Sequence, residues 1–212
     1  MPLFNKWEDG RATWGIWHLT ETSDVLQSSL SAKSCDPTEL AQFKSPSRQL
    51  EYLAVRVLVK HLTGQEHKIA HHPSGKPYLV DHSLNITVSH TKGYVAVGLH
   101  PTKEVGIDIE QKSDRVLNVI TRFVRPDEFP GLKKLSKDTQ LLMYLLAWSA
   151  KETMFKVLNT SEVDFIEHLH VAKFRIQTTG VFIGHEFRTP SKRTFAIHYQ
   201  THADFVLTYL TT

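Results

Sequence analysis

The stretch VGIDIE, Val105 to Glu110, alternates apolar and acidic side chains. Alternation reads as a strand, whose successive side chains point to opposite faces. Asp108 and Glu110 therefore share one face, roughly 6.5–7 Å apart along the strand. Like charges at that spacing repel, more so where water is partly excluded. A hard divalent cation would offset the repulsion, since magnesium favours carboxylate oxygens and takes further ligands from substrate phosphates. Two carboxylates make an incomplete set, so a third is expected from elsewhere. An acidic strand face turned to solvent is the competing explanation.

The stretch WSAKETMFK, Trp148 to Lys156, offers the third. Trp148, Glu152 and Lys156 fall at i, i+4 and i+8, one stripe of a helix. Leu141, Leu142, Leu145, Met154, Phe155 and Leu158 predict that this helix is largely buried. An acid and a lysine inside such a segment need partners. Glu152 can complete the metal site and Lys156 can face an anion. The alternative is a simple i, i+4 ion pair, worth roughly 0.2–0.5 kcal/mol.

Working outward, Ala12–Thr20 reads as a strand and Asp24–Ser34 as a short helix, with Pro37 an interruption. Ser47–Leu62 has helical apolar spacing, and Gly64 supplies its stop. Ile69–His72, Lys76–Val80 and Asn85–Ser89 read as short strands, the last pairing with Tyr94–His100 across the turn His90–Gly93. After VGIDIE, residues 115–124 look helical, and Asp138 is placed to cap a helix running to about Leu158. Four strands follow, near 168–178, 181–188, 194–201 and 204–210. Segregated strands and helices in both halves predict an α+β fold with mainly antiparallel sheets.

The chain has 212 residues, which fits one large domain or two small ones. With 41% hydrophobic and 22% charged residues it has an ordinary globular composition. A net charge of +3 permits an anionic ligand, and without an RNP-like or helix-turn-helix pattern no nucleic acid is expected. Cys35 is the single cysteine, so no intramolecular disulfide forms and a reducing compartment is predicted. The beginning, MPLFNKWEDGRATWGIW, has no apolar signal core, and the longest apolar run, Leu141–Trp148, is far short of a membrane span. A cytoplasmic protein with no membrane partner is the expectation. There is no Walker A loop and no G-x-G-x-x-G. His71-His72 and His168-x-His170 come without C-x-x-C or H-E-x-x-H, so no zinc site is assigned.

Gly106, Asp108 and Glu110 as G-x-D-x-E, about forty residues before Trp148, Lys151, Glu152 and Lys156 as W-x-x-K-E-x-x-x-K, resemble the signature of the 4′-phosphopantetheinyl transferases. NITVSHTKGYVAVGL is similar to that family's strand ending in Ser-His, SGKPYL to its Gly-Lys-Pro element, and RFVRPDE (Arg122–Glu128) to its R-F-F-x-x-x-E stretch. The helix from Arg48 is in the usual place, and the resemblance runs from about residue 44 to 160. The length resembles the two-lobed, pseudo-duplicated class rather than the short trimer-forming holo-carrier-protein synthases.

That resemblance implies two similar lobes in a pseudo-twofold arrangement, residues 1–104 and 105–212, the second carrying the metal site, and a monomer with coenzyme A in the cleft between lobes. It implies transfer of the 4′-phosphopantetheine arm of coenzyme A to a serine of an apo acyl or peptidyl carrier protein, releasing 3′,5′-ADP. Magnesium is the implied cofactor, with manganese the alternative cation. Asp108, Glu110 and Glu152 would be the metal ligands, Glu152 also the general base, and Lys156 and Lys151 the pyrophosphate ligands. Arg48, or Arg56 two turns on, would grip the 3′-phosphate, with Lys44 a weaker candidate. Gly75, Lys76 and Pro77 would lie along the nucleotide, and Ser89 and His90 at its phosphates. Residues 111–130 would face the carrier. A Ser89–His90 nucleophile and base pair is rejected, because neighbours in a strand point to opposite faces. Two departures stand out: basic residues before Arg48 are sparse, and Val124 replaces a usual aromatic. The rival readings are a non-catalytic coenzyme A or carrier-binding protein and an unrelated metal-dependent phosphohydrolase.

Overall fold

In the computed structural model, residues 2–158, 160 and 162–212 are described. The chain divides into two compact units, Met1–Val105 and Gly106–Thr212. Both combine helices with sheets, and every strand pair whose register is described is antiparallel. The α+β expectation therefore holds.

The first unit runs β1 (Leu3–Asp9), β2 (Ala12–His18), α1 (Ser23–Ser28), α2 (Pro37–Gln42), α3 (Pro46–Thr63), β3 (Ile69–His71), β4 (Pro77–Leu79), β5 (Asn85–Thr91) and β6 (Tyr94–His100). One sheet has the order β1-β2-β6-β5, and β3 pairs with β4 separately. Helix α3 buries Leu53, Ala54, Leu58 and Val59 against Trp17, Val95, Val97 and Leu99 of the sheet. Gly64 ends α3 in the left-handed conformation at φ 77°, where a side chain would be strained.

Three details differ from the sequence reading. Strand β1 has no clean apolar alternation because it is a mostly exposed edge strand. Helix α1 stops at Ser28, where the Ser28 and Ser29 hydroxyls donate to Val25 O and Leu26 O and compete with the helical ladder. Pro37 does not interrupt but begins α2, capped by Asp36, whose carboxylate accepts from Thr38 N at 2.8 Å.

The second unit comprises β7 (Val105–Gln111, whose first residue belongs to the first unit), a 3-10 helix (Asp114–Arg122), a short 3-10 turn (Leu132–Lys134), α4 (Lys137–Leu158), β8 (Leu169–Val171), β9 (Thr179–Glu186), β10 (Thr194–Thr201) and β11 (Phe205–Thr211). Its sheet has the order β7-β11-β10-β9-β8. The core forms from Leu146, Ala150, Met154 and Val157 of α4 with Val171, Phe182, Ile197 and Val206 of the strands.

Here too the structure corrects details. Residues 115–124 coil as a 3-10 helix, not an α-helix. The cap of α4 is Ser136, whose hydroxyl accepts from Thr139 N at 3.3 Å, while Asp138 lies inside the first turn. The strand expected over 168–178 pairs only over Leu169–Val171. Among the described residues, no helix is long and apolar enough to cross a membrane.

Candidate active site

Gly106, Asp108 and Glu110 project from one face of β7, and that face meets α4. A Cβ on Gly106 would stand 2.5 Å from the Thr153 carbonyl oxygen, closer than real contacts allow. Only glycine lets helix and strand approach this closely. The contact is fixed by Ser149, whose hydroxyl donates to Asp108 O at 3.3 Å, and by Ser149 and Thr153 hydroxyls bonded to Thr208 of β11 at 2.9 and 2.6 Å.

This approach brings the acidic strand and the helix stripe together. Lys156 Nζ donates to Ile107 O at 2.8 Å and to Asp108 Oδ1 at 2.9 Å. Trp148 Nε1 donates to Glu110 Oε1 at 2.8 Å. Burial, then the Asp108 charge and that of Glu152, push Glu110 up to about 7. Burial and the Asp108 charge push Glu152 to about 7 as well, with Lys156 pulling the other way. The three carboxylates thus share one electrostatic environment.

They do not close on a single point. Among the described residues, no three His, Cys, Asp or Glu side chains form a group that could hold a metal ion as arranged. Asp108 Oδ1 and Glu110 Oε1, which would turn toward a cation, are turned toward the N–H donors of Lys156 and Trp148. The donor chemistry nevertheless fits a hard cation: three carboxylates, two of them held near neutral by burial and mutual repulsion.

Lys151 is placed otherwise than the resemblance implied. It has no solvent exposure, and its ammonium lies 3.0 Å from both oxygens of the equally buried Glu128. It also donates to Phe123 O and, at 3.0 Å, to Phe165 O. Burial pulls this ammonium below the usual lysine range, against the attraction of Glu128. Glu128 further accepts from Arg125 N and Val171 N, at 2.8 and 2.7 Å. Lys151 is therefore sealed off from a pyrophosphate and anchors the stretch around Phe123 and Glu128 from beneath.

In the first unit Arg48 Nη1 lies 2.7 Å from His90 Nε2 and donates to Glu51 Oε2 at 3.0 Å. His90 is exposed and Ser89 buried, as opposite faces of β5 require. Arg48, Glu51 and His90 line a cavity of about 160 Å³ with Tyr52, His71 and Pro77. Arg56 also lines it, but its guanidinium is 5% exposed and committed. It donates to Ser34 O at 2.8 Å, Tyr52 O at 3.2 Å, Ile69 O at 3.4 Å and Glu39 at 3.5 Å. It also stacks 3.3 Å from the Tyr52 ring centroid. Arg56 is thus held as an internal brace, and Arg48 is the more accessible of the two arginines. Lys76 pairs with Glu104 at 2.6 Å, Gly75 occupies a tight turn at φ 86°, and Pro77 begins β4.

The sequence reading missed three partners. Glu51 was detectable from its i, i+3 spacing to Arg48. Glu104, 28 residues from Lys76, carried no local signal. Glu128 was quoted in RFVRPDE without a role, and only its burial beside Lys151 supplies one. Of the histidines, His170 and His185 stack at 5.8 Å, but no metal-holding group forms around them among the described residues.

The family model described as the 4′-phosphopantetheinyl transferase superfamily matches residues 104–210. "4′-Phosphopantetheinyl transferase gsp" of Aneurinibacillus migulanus is 28% identical over 106 residues, 49% of this chain and 43% of that protein. A "4′-phosphopantetheinyl transferase" of Bacillus subtilis is 29% identical over 83 residues, 39% of this chain and 37% of its own. A second from Bacillus subtilis, "4′-phosphopantetheinyl transferase ffp", is 30% identical over 83 residues with the same shares. The match spans about two fifths of the length of these curated relatives. The matched half contains Asp108, Glu110, Glu152 and Lys156, and the chain belongs to the 4′-phosphopantetheinyl transferase superfamily.

Proposed function

We propose that this protein transfers the 4′-phosphopantetheine arm of coenzyme A to a serine of an apo acyl or peptidyl carrier protein, releasing 3′,5′-ADP. One observation carries the reading. Two strand carboxylates, a helix glutamate and a lysine interact across the β7–α4 contact that Gly106 permits, inside the segment matched to the superfamily.

The serine oxygen forms a bond to the β-phosphorus, and the bond from that phosphorus to the bridging oxygen breaks. The serine proton goes to a base, and the leaving group departs as 3′,5′-ADP. Glu152 is the proposed base; without a bound cation, burial and the Asp108 charge push its carboxyl up to about 7, and its place beside Lys156 puts it next to the proposed pyrophosphate ligand. Lys156 presents its ammonium beside Asp108, where it stabilises negative charge developing on the leaving phosphate. Trp148 holds the Glu110 carboxylate in place through its indole N–H.

Asp108, Glu110 and Glu152 would hold Mg²⁺, with Mn²⁺ the alternative, and the cation would supply charge neutralisation at the pyrophosphate. Arg48 and His90 are the proposed 3′-phosphate ligands, since a guanidinium forks onto phosphate oxygens and both already lie side by side. Gly75, Lys76, Pro77 and Ser89 are proposed to lie along the nucleotide.

The test is incubation with coenzyme A, Mg²⁺ and a panel of apo carrier proteins, read by mass spectrometry. Addition of the phosphopantetheine mass to the carrier serine supports the reading. No addition across the panel overturns it in favour of a non-catalytic binder. Release of 3′,5′-ADP without any carrier would instead indicate a phosphohydrolase.

A further inference from the structure

The extended segment after β8 leaves the sheet before its pattern ends. Ala172 N still donates to Ile183 O of β9 at 2.8 Å. Beyond it, among the described residues, no group accepts from the backbone N–H of Lys173, Phe174, Arg175 or Ile176. The chain rejoins only at Tyr199, whose hydroxyl donates to Arg175 O and accepts from Gln177 N, both at 3.0 Å. The cause is Phe174, whose ring stacks 4.5 Å from Phe182 and meets Phe129 edge-on at 6.0 Å. Exposure alternates along the segment, with Phe174 and Ile176 half-buried and Lys173 and Arg175 exposed, the period of an extended chain.

Beside it lies a cavity of about 640 Å³, lined by Phe129, Leu132, Leu135, Leu142, Met143 and the segment itself. Leu135 is 47% exposed at its rim. The cavity contains none of the proposed catalytic, metal or coenzyme A ligands, and of the stretch 111–130 expected to face the carrier it holds only Phe129 and Pro130. An unpaired strand edge beside an apolar cavity is the arrangement that accepts an added strand: backbone bonds give affinity, and alternate side chains give specificity.

Charge decides the occupant. A second copy of this chain would set Lys173 and Arg175 against Lys173 and Arg175, and like charges on an edge discourage such pairing. Asp138 is the only acid lining the cavity. We infer that residues 173–176 are a docking edge for an extended, acidic partner segment that alternates acidic and apolar side chains. Its apolar residues would follow Phe174 and Ile176 toward the cavity, and its acids would lie beside Lys173 and Arg175.

The probe is a capped heptapeptide alternating glutamate with leucine, added to the whole protein. Fluorescence anisotropy should show saturable binding, and hydrogen exchange should show new protection at the amides of 173–176. The Lys173→Glu/Arg175→Glu variant changes only exposed side chains and should weaken binding at least tenfold. It should instead bind the same peptide carrying lysine in place of glutamate. Methylating the peptide's backbone nitrogens should abolish protection. Undetected binding, protection confined elsewhere, or affinity indifferent to the charge reversal would overturn the proposal. Concentration-dependent protection of these amides without peptide would overturn it too, assigning the edge to a second copy.

Discussion

Arg48 and Lys76 of the first unit are cations paired with acids near the surface, whereas Asp108, Glu110 and Glu152 of the second are carboxylates drawn into the interior. Arg48 is 54% exposed and shares its guanidinium between Glu51 and His90, while Lys76 has Glu104. Such pairs are mobile and screened, typically worth less than about 1 kcal/mol. Asp108 is 4% exposed, and its charge contributes to raising Glu110 and Glu152 together. The contrast teaches that charged side chains in the two units carry unequal energetic weight. The surface cluster is available to a ligand at little cost to the fold, whereas the interior cluster ties folding, protonation and chemistry together.

Four substitutions or conditions test that contrast, in order of decreasing expected effect. Asp108→Ala should lower carrier modification by about 10²–10³-fold or more, the scale for losing one preorganised electrostatic group. Full activity in the mass assay would remove Asp108 from the chemistry. Lys151→Met strands the Glu128 carboxylate in the core and should cost about 3–5 kcal/mol in urea unfolding. Adding Glu128→Leu should return part of that loss, because no buried charge then remains. A cost below about 1 kcal/mol would show that this pair does not brace the unit.

The third test is pH. Glu110 and Glu152 hold their protons to about 7 in the folded chain, against 4.5 for an ordinary glutamate. Between those values the folded state binds more protons than the unfolded one, so stability falls as pH rises through that window. Thermal midpoints of metal-free protein should therefore decline more steeply over it than those of the Glu110→Gln/Glu152→Gln variant. Added Mg²⁺ should flatten the decline. Parallel slopes for the two proteins would mean that neither carboxyl is raised in the folded chain. The smallest effect belongs to the surface cluster. Arg48→Gln should shift stability by no more than about 0.5 kcal/mol. It should weaken coenzyme A more than 3′-dephospho-coenzyme A, and equal weakening of both would reassign Arg48.

Local sequence carried much of the fold because period and caps are local physics. Helix α3 ends where Gly64 requires, and β5 and β6 pair through a two-residue turn where the sequence allowed four. The errors fell where tertiary contacts override pattern. Phe174 prefers Phe182 to a strand partner, so β8 stops early. Serine hydroxyls shorten α1, and Pro37 starts a helix once Asp36 caps it.

The candidate site divides in the same way. The sequence by itself determined which residues are in play: Asp108 and Glu110 share a face by strand period, and Trp148, Glu152 and Lys156 share a stripe by helix period. That position 106 has to be glycine came only with the packing of α4 on β7, which sets the Thr153 carbonyl against it. Which lysine meets the strand carboxylates depends on packing between distant segments. Lys151 and Lys156 lie on the same helix, five residues apart. One turns inward to Glu128 and the other to Asp108. No periodicity reveals that division, because a buried charge takes whichever partner the packing of distant segments brings within about 3 Å.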